Sequence, residues 1–320
     1  MPPTRLAALD LARGLAVVAM AIYHFSWDLS WFAFVEWPVA QGQGWRLFAA
    51  SIAGSFLFLS GVGLDLAHHN QIRWRPFFRR FLVISLAAAA VSLVTYFIFK
   101  TQYVRFGILH CIALSSLVAL PFTRLPLAVT GAASVFCLSL PFWGTSSLFD
   151  GQLWLWTGLG RPEFGSVDYV PLVPWVGVTL AGVAVSRLFR QRHLWIWLSK
   201  FRFEDLTGRA TRFLGRHSLS IYLLHQPLLF GLVWLATQVG PEIDRASIAF
   251  IRNCTEACQM SGYTSQTCEA ACGCTLSHLK SDEVWTDLVA DPANQTLRNH
   301  MNNRYALCLA EPHSIPESLN

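Results

Sequence analysis

Long apolar runs, separated by short stretches rich in Arg, Pro and Gly, make up the first three quarters of the chain. Crossing a hydrocarbon core about 30 Å thick takes roughly twenty apolar residues at about 1.5 Å of rise each. Runs of that order fall at about residues 11–35, 46–67, 80–99, 106–122, 126–144, 170–188 and 217–239. The pattern predicts an all-α polytopic membrane protein with about seven transmembrane helices. Pro171, Pro174 and Pro227 lie in the last two runs, where neighbouring helices can re-satisfy the backbone groups that proline frees. The first run is too long for a cleaved signal, and Asp10, His24 and Asp28 punctuate it.

Composition strengthens this reading. The chain is 53% hydrophobic and 13% charged, against about 25% charged in soluble domains. A net charge of +5, with its bases between the apolar runs, argues against a nucleic-acid partner, and the apolar content argues against disorder. Residues 1–240 carry 19 Lys and Arg against 9 Asp and Glu, whereas residues 241–320 carry 5 against 10. The chain therefore divides near Gly240-Pro241 into a transmembrane domain, 1–240, and a polar tail, 241–320. With the N-terminus in the cytoplasm, fifteen bases flank the spans inside, from Arg5 and Arg13 to Arg216, and four outside: Arg46, Lys100, Arg105 and Arg161. The positive-inside rule then fixes the N-terminus inside, and an odd number of spans puts the tail outside. Bases alternate with Trp and Phe from Arg187 to Phe203, the composition of a helix lying in the inner interface.

Six of the eight cysteines are in the tail: Cys254, Cys258, Cys268, Cys272, Cys274 and Cys308. An outside tail meets an oxidising compartment, where disulfides persist. Cys254 and Cys258, like Cys268 and Cys272, share one helical face, and Ser261-Gly262 between the pairs suits a turn. Two antiparallel helices stapled Cys258 to Cys268 and Cys254 to Cys272 fit this spacing, leaving Cys274 and Cys308 to close the rest. A zinc site is the alternative, weakened by the absence of the usual following histidines, and no metal is expected. The tail reads as a structural or docking module.

A charge at the centre of a span costs about 2.5–3.5 kcal/mol and calls for a partner or a task. On the first helix Asp10 and Arg13 are three apart at the cytoplasmic entry, and His24 and Asp28 are four apart on one face deeper in. A general base with an orienting carboxylate is one reading of the second pair; an internal hydrogen-bonded pair that packs helices is the other. Arg105 and His110 enter from the outer edge of the fourth span, and His225 sits midway along the last. A single membrane histidine more often bonds helices together than catalyses, although three in three spans invite convergence. Asp65 reads as a helix-end residue, and Gly61 with Gly63 as close packing.

The segments RLAALDLARGLAVVAMAIYHFSWDL, RFGILHCIAL, DYVPLVPWVG and LGRHSLSIYLLHQPLL resemble bacterial membrane proteins related to heparan-alpha-glucosaminide N-acetyltransferase, over about residues 4–239. The Arg13-x10-His24 spacing is similar to that of the wider membrane acyltransferase-three-like superfamily. The resemblance implies a multi-pass protein of the bacterial inner membrane, as a monomer or an oligomer in the lipid bilayer. It implies transfer of an acetyl group from cytoplasmic acetyl-CoA to an amine or hydroxyl of a sugar or glycan on the far side. The resemblance makes His24 catalytic and puts Arg13 near the donor; the residues themselves add Asp28 beside His24, Asp10 beside Arg13, and Arg105, His110 and His225 as candidates to serve the acceptor or support the site. Seven spans are fewer than the ten or so usual there, and the tail matches nothing in the family. A haem or quinone redox protein with His24, His110 and His225 as ligands, and a non-catalytic carrier, are the competing readings.

Overall fold

The computed structural model describes residues 6–35, 37–40, 42–161, 165–239 and 244–310. Its helices are α1 (Ala7–Trp31), α2 (Gln43–His68), α3 (Trp74–Phe99), α4 (Ile108–Ala119), α5 (Leu127–Ser139), α6 (Leu172–Gln191), α7 (Leu194–Leu198), α8 (Leu206–Arg216), α9 (Ser218–Val239), α10 (Arg245–Met260), α11 (Ser265–Ser281), α12 (Trp285–Ala290) and α13 (Gln295–Ala310). Among the described residues the strand-like pairing is confined to a bridge between Phe106 and Tyr169. The chain forms two compact units, Met1–Trp27 with Pro38–Phe230, and Asp28–Trp37 with Gly231–Asn320. The expected division at Gly240-Pro241 lies outside the described residues.

The protein is an all-α membrane protein. Among the described residues, five helices are long and apolar enough to cross a bilayer: α1, α2, α3 with its 3-10 extension to Gln102, α6 and α9. The predicted fourth and fifth spans are helical but short. α4 has 12 residues, about 18 Å of rise, and α5 has 13 before a 3-10 turn carries the chain to Phe142. The expected seven crossings thus resolve, among the described residues, into five helices of full length and two shorter apolar ones.

In the first unit α2 and α6 form the centre, because small residues let their backbones touch. A Cβ on Gly61 would overlap the Thr179 carbonyl oxygen, so no larger residue fits without separating the helices. Asp65, expected at a helix end, is instead fully buried. It accepts hydrogen bonds from Arg190 Nη1 at 2.8 Å and Ser186 Oγ at 2.7 Å, both on α6, the partners a buried carboxylate requires. α3 and α9 are peripheral: Leu86 and Leu224 are both 61% exposed, as lipid-facing side chains are. The stretch Arg187–Phe203, expected as one interfacial helix, is divided. Arg187 and Arg190 end α6, His193 takes left-handed backbone with φ 56°, and α7 is only five residues long.

In the second unit α10 and α11 are joined by the disulfides Cys254–Cys272 and Cys258–Cys268. Cross-links nested in this order require antiparallel helices. The turn between them places Gly262 at φ +92°, a conformation open to glycine and strained for other residues. Cys274–Cys308 ties α11 to α13, so the spacing-based pairing is the one formed. His278 lies beside Cys274 and Cys308, but these two sulfurs are bonded to each other and are not thiolates available to zinc.

Candidate active site

A cavity of about 620 Å³ lies among α1, α2, α3, α4 and α9, within the range of small-molecule and cofactor sites. Its lining is strongly asymmetric. Arg13 of α1 and Arg75, Arg79 and Arg80 from the first two turns of α3 line it together with apolar walls that include Phe56, Leu59, Ile84 and Leu109, and with Ile108 and Tyr222. Arg13 and Arg80 converge beside Gly63, where a Cβ would lie 3.1 Å from Arg13 Nη2 and 3.9 Å from Arg80 Nη1. Arg80 also donates to Ser60 Oγ at 3.3 Å. Two guanidinium groups held this close repel each other, and a phosphate or carboxylate between them reverses the sign of that interaction.

Asp10 does not line the cavity. Buried at the start of α1, it accepts from Arg216 Nε of α8 at 3.1 Å and lies 3.7 Å from Arg13 Nη1. It anchors α1 to α8 and steadies the Arg13 side chain.

Cavity-lining Ser218, Leu219 and Tyr222 mark one face of α9, and His225 is the next position on that face. Its ring centroid is 4.9 Å from that of His24 on α1, at an interplanar angle of 65°, and 5.8 Å from that of Tyr222. The two histidines therefore sit one helical turn beyond the cavity. His225 Nδ1 lies 2.7 Å from the Tyr222 carbonyl oxygen and 3.2 Å from that of Ile221. A carbonyl only accepts, so Nδ1 carries the proton and Nε2 of the neutral ring carries a lone pair. Nε2 is buried and has no hydrogen-bond partner among the described residues. Asp28, one turn further along α1 than His24, is fully buried.

Arg105 and His110, expected to serve the acceptor or support the site, have partners of their own. Arg105 stacks on Tyr103 at 4.5 Å and donates to the carbonyl oxygens of Gly165 and Thr101, each at 3.0 Å, pinning two loops together. The Gly107 amide donates to His110 Nδ1 at 3.2 Å, so Nε2 holds the proton and faces Ser92 Oγ at 3.3 Å. Both its nitrogens are engaged, and its ring lies against Phe106.

Asp168, in the loop before α6, had no assigned role in the sequence. Its Oδ2 accepts the Ile108 amide at 3.0 Å, capping α4, and it fills the space that a side chain on Gly107 would need. Burial pushes its carboxyl up from the ordinary range, partly offset by the Ile108 amide. The rings of Tyr23 and Tyr222 lie beside His24 and His225 respectively. The signal in the sequence was an acid immediately before an apolar run, in DYVPLVPWVG. The cavity bases of α3 were equally visible, but only as bases of an inner loop.

A family model described as heparan-alpha-glucosaminide N-acetyltransferase, catalytic, matches residues 5–227, well over half of the chain. No curated protein and no solved structure matches.

Proposed function

The chain belongs to the heparan-alpha-glucosaminide N-acetyltransferase catalytic family, and from that premise we propose that it transfers acetyl from cytoplasmic acetyl-CoA to an amine or hydroxyl of a sugar or glycan across the membrane. The observation that carries this reading is the cavity itself: four arginines in its lining, and a histidine pair one turn beyond it on the Tyr222 face. Arg13, Arg75, Arg79 and Arg80 suit the phosphates of CoA, and the apolar walls suit its pantetheine arm. Asp10 acts on the donor indirectly, by holding Arg13 through a shared ion-pair network with Arg216.

The acceptor's nitrogen or oxygen attacks the thioester carbonyl carbon, the C–S bond breaks, and CoA leaves as thiolate. His24 takes the proton from the acceptor and returns one to the CoA sulfur. Asp28 supports His24 from the next turn of α1, by orienting the ring or stabilising its cation. The loop bases, fifteen against four, support a topology with the arginine-lined region at the cytoplasm and the tail outside.

The test is incubation of the purified protein with labelled acetyl-CoA and a panel of amino sugars and glycans. Label transferred to one of them supports the reading and names the acceptor. A folded protein that transfers label to none overturns it.

A further inference from the structure

Two histidines meet at this site, and the structure prepares one of them in a particular protonation state. His225 is 9% exposed, its Nδ1 proton is committed to the Tyr222 carbonyl at 2.7 Å, and its Nε2 lone pair is buried without a hydrogen-bond partner among the described residues. A buried acceptor without a hydrogen-bond partner is uncommon and calls for a reason, and here it lies one helical turn beyond the cavity, where a ligand N–H would supply the missing donor. His110 provides the contrast in the same bundle, with both ring nitrogens engaged.

We infer that His225 is a second catalytic base, whose Nε2 takes one of the two protons that an amine acceptor must lose. The inference rests on the acetyltransferase reading above. An aliphatic amine reaches the site as an ammonium ion. One proton must leave before its nitrogen can attack, and a second leaves as the new C–N bond forms. CoA thiolate takes one of the two; the other is released to solvent. A single imidazole holds only one proton at a time. The contact of His24 with His225 provides two lone pairs at one place: His225 Nε2 removes the first proton, and His24 handles the second and passes it to sulfur. A hydroxyl or a neutral aromatic amine carries one fewer proton to remove and needs only His24.

His225→Asn tests this, because the Asn side-chain amide can keep the Nδ donor to the Tyr222 carbonyl while the Nε2 lone pair is lost. Transfer to an aliphatic amino sugar should fall by about 10²–10⁴-fold, while transfer to an aromatic amine such as aniline stays within about tenfold of wild type and acetyl-CoA affinity within about twofold. An equal loss on both acceptor classes would make His225 a packing residue, and wild-type rates on both would remove it from the mechanism. The tautomer is settled separately in the wild-type protein: ¹⁵N-histidine spectra should show His225 protonated at Nδ1, and protonation at Nε2 instead overturns the proposal even if the variant fails to fold. A wild-type protein that transfers to neither class overturns the parent reading and this one together, whereas an active wild type with an unaffected variant overturns this one alone.

Discussion

Arg13 and Arg80 bring two positive charges to one point beside Gly63, and the consequence is measurable in donor affinity. A hydrogen bond to a charged group contributes about 1.5–3 kcal/mol, so Arg13→Ala or Arg80→Ala should raise the acetyl-CoA requirement about 10- to 100-fold and leave that for the acceptor nearly unchanged. Unaltered donor affinity would reduce Arg13 to an anchor of α1. His24→Ala should abolish transfer with the fold retained, and Asp28→Asn should only slow it, because an orienting carboxylate leaves the proton path intact. Residual turnover near wild type in His24→Ala would remove it from the reaction. The redox reading makes the opposite demand on the same side chains. His24 and His225 touch edge to face, leaving no gap for a haem plane, and His110 has both nitrogens engaged; the purified protein should show no Soret band. The separation of Arg13 and His24 was legible because a single helix fixes it. The pairing of His24 with His225 was not, since it depends on how α1 and α9 are rotated against each other. The partners of Arg105 and His110 were not legible for a related reason: they include Gly165, 60 residues away, and Ser92 on another helix.

α2 and α6 are held by contacts of opposite kinds, and each predicts a distinct failure. At Gly61 the backbones touch, so Gly61→Leu should prevent the two helices from closing and lower the unfolding temperature in detergent more than any lipid-facing change such as Leu224→Ala. At Asp65 a buried carboxylate meets Arg190 and Ser186. Asp65→Ala leaves the Arg190 charge without its counter-ion, a loss of the kind that costs about 3–5 kcal/mol when fully buried and less here, where Arg190 is 34% exposed. Equal melting temperatures for Asp65→Ala and wild type would show the pair to be energetically neutral. The apolar pattern located every helix of the first unit that it named, because burial in lipid selects composition over whole turns. Lengths were less legible. α4 and α5 are preceded or followed by Gly107, Pro121, Pro126 and Pro141, so apolar residues that read as span continue as 3-10 turns and loops. The interfacial segment after α6 failed for the same reason, as one left-handed residue, His193, ends the helix within an unbroken aromatic-basic pattern.

The whole chain combines a membrane-embedded bundle with a disulfide-bonded tail, and the loop charges and the cysteines make the same claim about which side that tail faces. Fifteen bases against four favour a cytoplasmic N-terminus, and three disulfides require an oxidising compartment to persist. The two signals are independent, since one concerns loops between spans and the other residues beyond the last span. Closed loops of 10, 18 and 34 residues each restrict the unfolded tail by about 3–4 kcal/mol in the chain-entropy model, most for the longest. Cys274→Ser with Cys308→Ser should therefore loosen α13 more than loss of either hairpin staple loosens α10. Acid should loosen the tail as well. Hydrogen bonds from Lys280 and Ser247 hold the Asp244 carboxyl down at about 2, so its contribution is complete above the ordinary carboxylate range near 4 and is lost as the pH falls from there through about 2. Topology is then decided by a membrane-impermeant thiol reagent applied to sealed cells. It should label the tail only after reduction, and leave Cys111, which is fully buried in the bundle, untouched under both conditions. Tail thiols that react without reduction, and only when the cytoplasmic face is opened, would reverse the orientation and with it the side from which the arginine-lined cavity receives its donor.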